Sequence, residues 1–191
     1  MLALLAVMSA PLSAATSYCD GVAGNLIANC GFETGDFTDW VQGGNLGITG
    51  VTSDPTYVFS GVYGAYLGPV GSDGTLTQTF NGAGFSEFYV NFELYNDGGT
   101  PNDFTVYWNG VDVGPGLVDY GSLAFTQVSG VLLGNPGANT IQFVFRQDPA
   151  FWGLDDIVVQ GQGPAVPEPG SLGLLLSGLG VLAVAIRRRM K

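Results

Sequence analysis

The side chains of this sequence that could do chemistry are almost all carboxylates. The chain contains 16 Asp and Glu residues and no histidine, which excludes His-dependent nucleophile triads, His general bases and zinc sites with a His ligand. Its two cysteines are too few for a four-cysteine metal site or an iron–sulfur cluster. The enzymatic option that is left is a pair of carboxylates acting as acid and base, as in glycosidases.

Two pairs of carboxylates are candidates for such a hydrolase, Asp155 with Asp156 and Glu33 with Glu93. Successive residues of a β-strand point to opposite faces of a sheet, so Asp155 and Asp156 would not face one substrate. A body of this size also lacks a second layer from which to build a cleft. We therefore expect a protein that is not an enzyme and has no catalytic residues.

The charge of the chain is strongly uneven. Arg146 is the only basic residue in the body, against fifteen acidic residues from Asp20 to Asp156, which gives a net charge near −14. Phosphate backbones would repel such a body, so we expect no nucleic-acid partner. The acidity is typical of a secreted, well-solvated surface or of a protein that binds divalent cations.

The elements that must position these side chains are β-strands. Gly and Pro make up about a fifth of the 191 residues, yet 46% are apolar and 12% aromatic, which indicates a turn-rich β protein. Apolar residues alternate over 87–95, 104–108 and 141–145, and Asn109-Gly110 predicts a hairpin turn. Further strands are expected at 25–28, 38–42, 46–52, 65–67, 75–80, 111–113, 123–132 and 153–160. This pattern predicts an all-β fold, an antiparallel β-sandwich of the jelly-roll type.

The polar sides of three predicted strands carry a candidate glycan-binding face. The set consists of Tyr89, Asn91, Glu93, Tyr107, Gln142 and Arg146. Aromatic rings that stack on sugars, flanked by amide and charged groups, suit a shallow glycan site, and these side chains would share one face if the strands are neighbours. The alternative is that tyrosine simply favours strands and that Arg146 is an ordinary surface cation.

Residues 1–15 are expected to be a secretory signal peptide. The apolar run 1–8 is too short to span a bilayer, and small residues suited to a signal peptidase follow it, with cleavage predicted after Ala15. No basic residue precedes the apolar run, so either the signal is weak or, as we favour, the start of the chain is truncated.

Cys19 and Cys30 follow the predicted cleavage point. In an exported chain, two cysteines at this spacing favour one disulfide that ties down the mature N-terminus. The alternative is a lipid-modified Cys19, but the preceding Thr16-Ser17-Tyr18 lacks the small apolar run that such processing needs.

The C-terminus combines a proline motif, an apolar span and a basic cluster. Val166-Pro167-Glu168-Pro169 is followed by the uncharged span 170–186 and then by Arg187, Arg188 and Arg189. As a helix, residues 170–186 would be about 25 Å long, at the short limit for a membrane span. The positive-inside rule would place the basic tail in the cytoplasm and the body outside.

This tail, Val166 to Lys191, resembles the PEP-CTERM sorting signal of exopolysaccharide-producing Gram-negative bacteria. The resemblance implies that Pro167, Glu168 and Pro169 are the recognition motif of an exosortase, a membrane enzyme that cuts the transient anchor. It further implies an exported protein, first anchored in the inner membrane with its body in the periplasm and later found at the cell surface or in the extracellular matrix.

The body has a second resemblance. Residues 25–35 with Trp40, and the closing segment 152–159, look like the first and last strands of carbohydrate-binding-module, or galactose-binding-like, jelly rolls. In several such modules a Glu of the opening motif and an Asp of the closing one hold a structural calcium. The resemblance implies that Glu33 and Asp156 (or Asp155) ligate Ca²⁺. The alternative is that they are solvated turn residues.

Together these features divide the chain into a signal segment (1–15), a β-sandwich domain (16–162) and a sorting signal (163–191). We expect a non-enzymatic, exported envelope or matrix protein that binds exopolysaccharide through one face of the sandwich. The alternatives are a structural or adhesive surface protein with no glycan site and, as the least favoured, a small polysaccharide-active hydrolase.

Overall fold

The computed structural model describes residues 16–163. The predicted signal peptide, the motif Pro167-Glu168-Pro169, the predicted membrane helix 170–186 and the basic tail 187–191 lie outside the described residues. Within 16–163, no helix is long and apolar enough to cross a membrane.

Ten strands form two five-stranded sheets in which every pairing is antiparallel. The first sheet contains β1 (Val41–Gly44), β4 (Gly74–Asn81), β9 (Ala138–Gln147), β6 (Asn102–Trp108) and β7 (Val111–Val118), in that order. The second contains β2 (Thr49–Thr52), β3 (Gly64–Leu67), β10 (Trp152–Gly161), β5 (Glu87–Asn96) and β8 (Leu123–Leu133). The predicted all-β antiparallel sandwich is confirmed.

The core forms between the inner faces of the two sheets, because the central strands alternate as the sequence predicts. In β9, for example, buried and half-buried residues alternate along almost the whole strand. Aromatic rings meet across the interface: the ring centroids of Phe92 and Phe143 are 5.2 Å apart, and those of Phe104 and Trp152 are 5.4 Å apart. These contacts bury large apolar surfaces, the dominant favourable contribution to folding.

The strand predicted at 25–28 is not formed. Only an isolated bridge joins Asn25 to Gln160. The Asn25 side chain accounts for the interruption, because its Oδ1 accepts hydrogen bonds from the Ile27 and Val159 amides and its Nδ2 donates to the Ile157 carbonyl. A side chain that bonds the backbone in this way replaces regular ladder bonds. The segment nevertheless runs beside β10, where the Leu26 amide donates to the Val159 carbonyl at 2.8 Å.

Cys19 and Cys30 form a disulfide, as the sequence predicts. Cys19 begins a short 3-10 helix, Cys19–Gly21, so the bond ties the N-terminal part of the described chain to the segment that precedes β1. The ten strands, their core and this disulfide all lie before Gln162, where the compact unit ends. Residues 16–161 therefore contain all ten strands, the described core and the disulfide.

Candidate functional site

The six residues of the predicted glycan face do not share one face. Tyr89, Asn91 and Glu93 lie on β5 in the second sheet, whereas Tyr107, Gln142 and Arg146 lie on β6 and β9 in the first. The expectation of a single face is wrong because β5 pairs with β10 and β8 and not with β6 or β9. Alternation shows which side of a strand faces the core, but not which sheet contains the strand.

Three of the six predicted residues do come together on the outer side of the first sheet. We call this surface the β9 face, and its members are half-exposed side chains of the three central strands: Thr75, Thr77, Thr105, Tyr107, Gln142 and Arg146. Tyr107 lies directly opposite Gln142, which in turn lies opposite Thr77. The Gln142 Nε2 donates to Thr77 Oγ1 at 3.0 Å, so the amide is held beside the tyrosine ring.

Arg146 supplies the one positive charge among the described residues. Its Nη2 donates to Asp148 Oδ2 at 3.1 Å, while its buried Nε has no partner within residues 16–163. Asp103 lies opposite Arg146 across the β6–β9 ladder, and burial raises the pKa of the Asp103 carboxyl. The charge at this end of the β9 face is therefore balanced within the protein.

The β5 residues of the prediction are much less accessible. Asn91 and Glu93 are each only 7% exposed, and of the three only Tyr89 is half-exposed. Glu93 lies opposite the buried Asp155, and burial, followed by repulsion from Asp156, raises the pKa of the Glu93 carboxyl. A sugar would not reach Asn91 and Glu93 without displacing the protein around them.

Glu33, Asp155 and Asp156, the predicted calcium ligands, all bind one loop. Asp155 Oδ2 accepts hydrogen bonds from the amides of Phe59 and Ser60 at 2.7 and 3.2 Å. Asp156 Oδ2 accepts from the Ser60 hydroxyl at 2.6 Å. We call these three carboxylates with residues 59–63 the carboxylate latch.

Glu33 holds the other end of the same loop. Its Oε1 accepts from the Val62 and Tyr63 amides at 2.9 and 3.1 Å. Gly61, between the two bound ends, has a φ of +76°, and a Cβ at this position would clash with the Glu33 carboxylate. The close approach therefore requires glycine at position 61.

A bulge in β10 lets Asp155 and Asp156 act together. The pairing with β5 is irregular between Asp155 and Val158, and Asp156 has a φ of +50°. Asp156 consequently bonds Ser60, as Asp155 does, and its Oδ1 also accepts from the Cys19 amide at 3.0 Å. The expectation that these two carboxylates act on opposite faces is wrong here, because a bulge redirects a side chain.

These three residues do not, in this arrangement, fit the ligands of one calcium ion. Calcium takes six to eight oxygen ligands, whereas the groups that face these carboxylates are mainly backbone N–H donors. Among the described residues, Glu33, Asp155 and Asp156 are in no group of three potential ligands that converges within 4.8 Å. Calcium binding stays a prediction from the resemblance.

Burial makes Asp155 sensitive to pH. The side chain is fully buried, and this burial, with repulsion from Asp156, raises the pKa of the Asp155 carboxyl to about 8, although three amide bonds oppose the shift. An acid whose pKa is higher in the folded than in the unfolded state binds more protons when folded. Its contribution to stability is therefore present at low pH and lost as the pH rises from about 4 to about 8.

We expect the melting temperature to fall as the pH rises from 5 to 8.5, because ionised Asp155 is buried without a cation. One such proton changes the free energy of unfolding by at most about 1.4 kcal/mol per pH unit. Circular dichroism melts at fixed ionic strength measure the slope. Asp155→Asn, which is neutral throughout and keeps an acceptor for the loop amides, should flatten it; an equally steep slope in this variant would contradict the assignment.

Sequence reasoning missed an aromatic cluster on the outer side of the second sheet. Tyr57 packs against Tyr66, Tyr95 and Phe151, with ring centroids 5.7 to 6.3 Å apart. The Tyr57 and Tyr95 hydroxyls both donate to Asp97 at 2.8 Å, and burial raises the pKa of Tyr57. Since these rings come from separate strands and loops, no local periodicity could have brought them together.

The chain is similar in fold to a solved carbohydrate-binding module and to a domain of a bacteriophage tailspike protein. TmCBM61, solved in complex with β-1,4-galactotriose, is 17% identical with a TM-score of 0.58, over 72% of this chain and 99% of that one. The enzymatically active domain of tailspike protein 4 of bacteriophage CBA120 is 14% identical with a TM-score of 0.54, over 73% of this chain but only 22% of that one. No curated protein matches the sequence.

A family model describes the C-terminus. The PEP-CTERM protein-sorting motif matches residues 165–189, which confirms the resemblance seen in the sequence. The chain thus combines a β-sandwich that has the fold of carbohydrate-binding modules with a PEP-CTERM protein-sorting motif at its C-terminus.

Proposed function

We propose that this protein is an exported, non-enzymatic surface or matrix protein that binds polysaccharide through the β9 face. The observation that carries the proposal is the direct opposition of Tyr107 and Gln142 on an open sheet surface. An aromatic ring beside a fixed amide offers both stacking and hydrogen bonding to a sugar. The fold shared with TmCBM61, which was solved with a bound oligosaccharide, supports the same proposal.

The net negative charge of the body favours neutral polysaccharides over acidic ones. Fifteen carboxylates against one arginine repel an acidic polymer at low ionic strength. Arg146, the one available cation, is already paired with Asp148. A neutral chain that lies across β4, β9 and β6 would meet hydroxyl and amide groups from Thr77, Gln142 and Thr105 without this repulsion.

The burial of Asp155 and Asp156 supports a non-enzymatic role. Asp155 and Asp156 are at most 1% exposed, and their oxygens accept hydrogen bonds from Phe59, Ser60 and Cys19. A general acid must reach the bond that it protonates. Carboxylates that hold a loop beneath the surface do not meet that requirement.

The sorting motif supports the proposed location. The PEP-CTERM match implies that an exosortase processes the tail, in the manner known for such signals, after export through the inner membrane of a Gram-negative bacterium. The disulfide between Cys19 and Cys30 agrees with an oxidising compartment. We propose that the sandwich is then released to the cell surface or matrix, where it meets the polysaccharide.

Affinity electrophoresis tests the proposal with residues 16–161. Native gels would contain β-1,4-galactan, xylan, mannan or dextran as neutral probes and alginate as the acidic probe. We expect at least one neutral polymer to retard the protein and alginate to leave its mobility unchanged. Tyr107→Ala should weaken the retardation at least about tenfold, since stacking and hydrogen bonding at a central aromatic side chain carry much of the affinity.

The matched control is Tyr89→Ala, which removes a half-exposed tyrosine from the outer side of the other sheet. This variant should be retarded like the wild type. No retardation by any neutral polymer, with an intact fold by circular dichroism, would favour the structural or adhesive alternative. Loss of binding in Tyr89→Ala but not in Tyr107→Ala would place the site on the second sheet instead.

A further inference from the structure

We propose that β8 is a self-association edge, through which two copies of this protein pair their second sheets antiparallel across a two-fold axis. The proposal concerns the edges of the sandwich and is independent of glycan binding. An edge strand presents unpaired N–H and C=O groups, and proteins usually protect such edges by shortness, proline, bulges or charge. The four edges of this sandwich differ sharply in that protection.

Three of the four edges are protected. β1 and β2 are each only four residues long. β7 contains Pro115, which has no N–H to donate, and its pairing with β6 has two irregularities. It also contains the charged Asp112. Each of these edges therefore offers another strand either few backbone N–H and C=O groups or an interrupted row of them.

β8 has much less of this protection, with one irregularity in its pairing with β5, between Leu123 and Thr126 at one end of the strand. It is eleven residues long, contains no proline or charged residue, and pairs regularly with β5 from Thr126 to Leu133. Two of its large side chains are well exposed, Val131 at 59% and Leu133 at 77%. A long, regular, uncharged and partly apolar edge is the kind that pairs with another strand.

The distribution of charge points to a second copy as the partner. Residues 120–145 contain no charged side chain, although the body carries a net charge near −14. In a two-fold dimer the same surface meets itself, so an acidic edge would repel its copy. Among the described residues, β8 lies in the longest stretch without charged side chains, so two such acidic molecules can approach there with few opposing carboxylates.

The sequence of β8 is also complementary to itself. With the axis at Val128, antiparallel pairing sets Phe125 opposite Val131 and Gln127 opposite Ser129 of the second copy. Apolar side chains then meet apolar ones, and the amide meets a hydroxyl, which are favourable cross-strand pairs. Beside this edge, Val128 and Leu132 line an apolar cleft of about 260 Å³ between the sheets, which the second copy would cover.

Light scattering after size exclusion of residues 16–161 tests the proposal. We expect the wild type to have twice the monomer mass at high concentration. Val131→Glu would place a carboxylate against Phe125 of the second copy, and burial of an unpaired charge is unfavourable. We expect it to raise the dissociation constant of the dimer at least about tenfold. Melting temperatures identify any variant that fails to fold.

The matched control is Val41→Glu, which changes a valine of similar exposure, 69%, on the protected edge β1. It should dimerise like the wild type. A wild type that stays monomeric, or a dimer that tolerates Val131→Glu, would overturn the proposal.

A cysteine pair tests the register. Opposed residues of antiparallel strands have Cα atoms about 4.5–5.5 Å apart, within the range of a disulfide. Val128→Cys should therefore form a covalent dimer on mild oxidation, because the native cysteines are already paired. Val111→Cys on β7 is the control and should stay monomeric. Cross-linking at position 111 but not at 128 would overturn the assignment to β8.

Discussion

Trp152→Ala is expected to lower the free energy of unfolding by about 3–5 kcal/mol, the range for removing a large buried aromatic side chain. Trp152 is fully buried at the start of β10. Its ring packs against Phe104 of the opposite sheet, and its Nε1 donates to the Arg146 carbonyl at 2.9 Å. The substitution would thus remove packing between the sheets and leave the Arg146 carbonyl of β9 without this partner.

Urea denaturation of residues 16–161 measures this loss of stability. Unfolding is monitored by far-ultraviolet circular dichroism, because tryptophan fluorescence would itself change in the variant. Trp152→Phe is the control, because it keeps a ring against Phe104 and loses only the indole N–H and part of the volume. We expect it to lie between the wild type and Trp152→Ala. A loss below about 1 kcal/mol in Trp152→Ala, as for an exposed position, would show that this residue does not join the two sheets.

Removal of the disulfide with Cys19→Ala/Cys30→Ala is expected to lower the free energy of unfolding by about 2–3 kcal/mol. The bond closes a loop with a sequence separation of 11, and the estimate follows from the lost constraint on the unfolded chain. The bond also positions Cys19, whose amide donates to Asp156 Oδ1. Its loss should therefore loosen the carboxylate latch at the N-terminal side.

The same denaturation experiment compares this double variant with the wild type under non-reducing conditions. Reduced wild-type protein provides a second route to the same state and should show the same loss. Hydrogen exchange should also rise at Ser60, since the latch shares Asp156 with Cys19. Equal stability of oxidised and reduced protein would contradict a structural role for the disulfide.

The two proposed surfaces are compatible with each other. The β9 face belongs to the first sheet and β8 is an edge of the second, so pairing through β8 would leave Tyr107 and Gln142 open. A dimer would then present two β9 faces to one polymer. Binding at two linked sites raises the overall affinity without any new contact.

The strands and the core could be predicted from local patterns. Alternation in residues 87–95 and 141–145 predicts which side chains face inward, and both segments form central strands with those faces buried. The C-terminal motif was equally readable, since a short contiguous signal needs no fold to be recognised. The disulfide followed from the presence of two cysteines in an exported chain.

Only the tertiary structure showed that the predicted glycan-binding residues lie on two different sheets. Tyr89 and Tyr107 occupy similar positions on alternating strands, yet strand order assigns them to different sheets, and that order depends on pairing between distant segments. The bulge after Asp155 likewise depends on how β10 meets β5. It brings two carboxylates onto one loop that is about 95 residues earlier in the chain. Periodicity describes each strand by itself, whereas the site arises from contacts between strands.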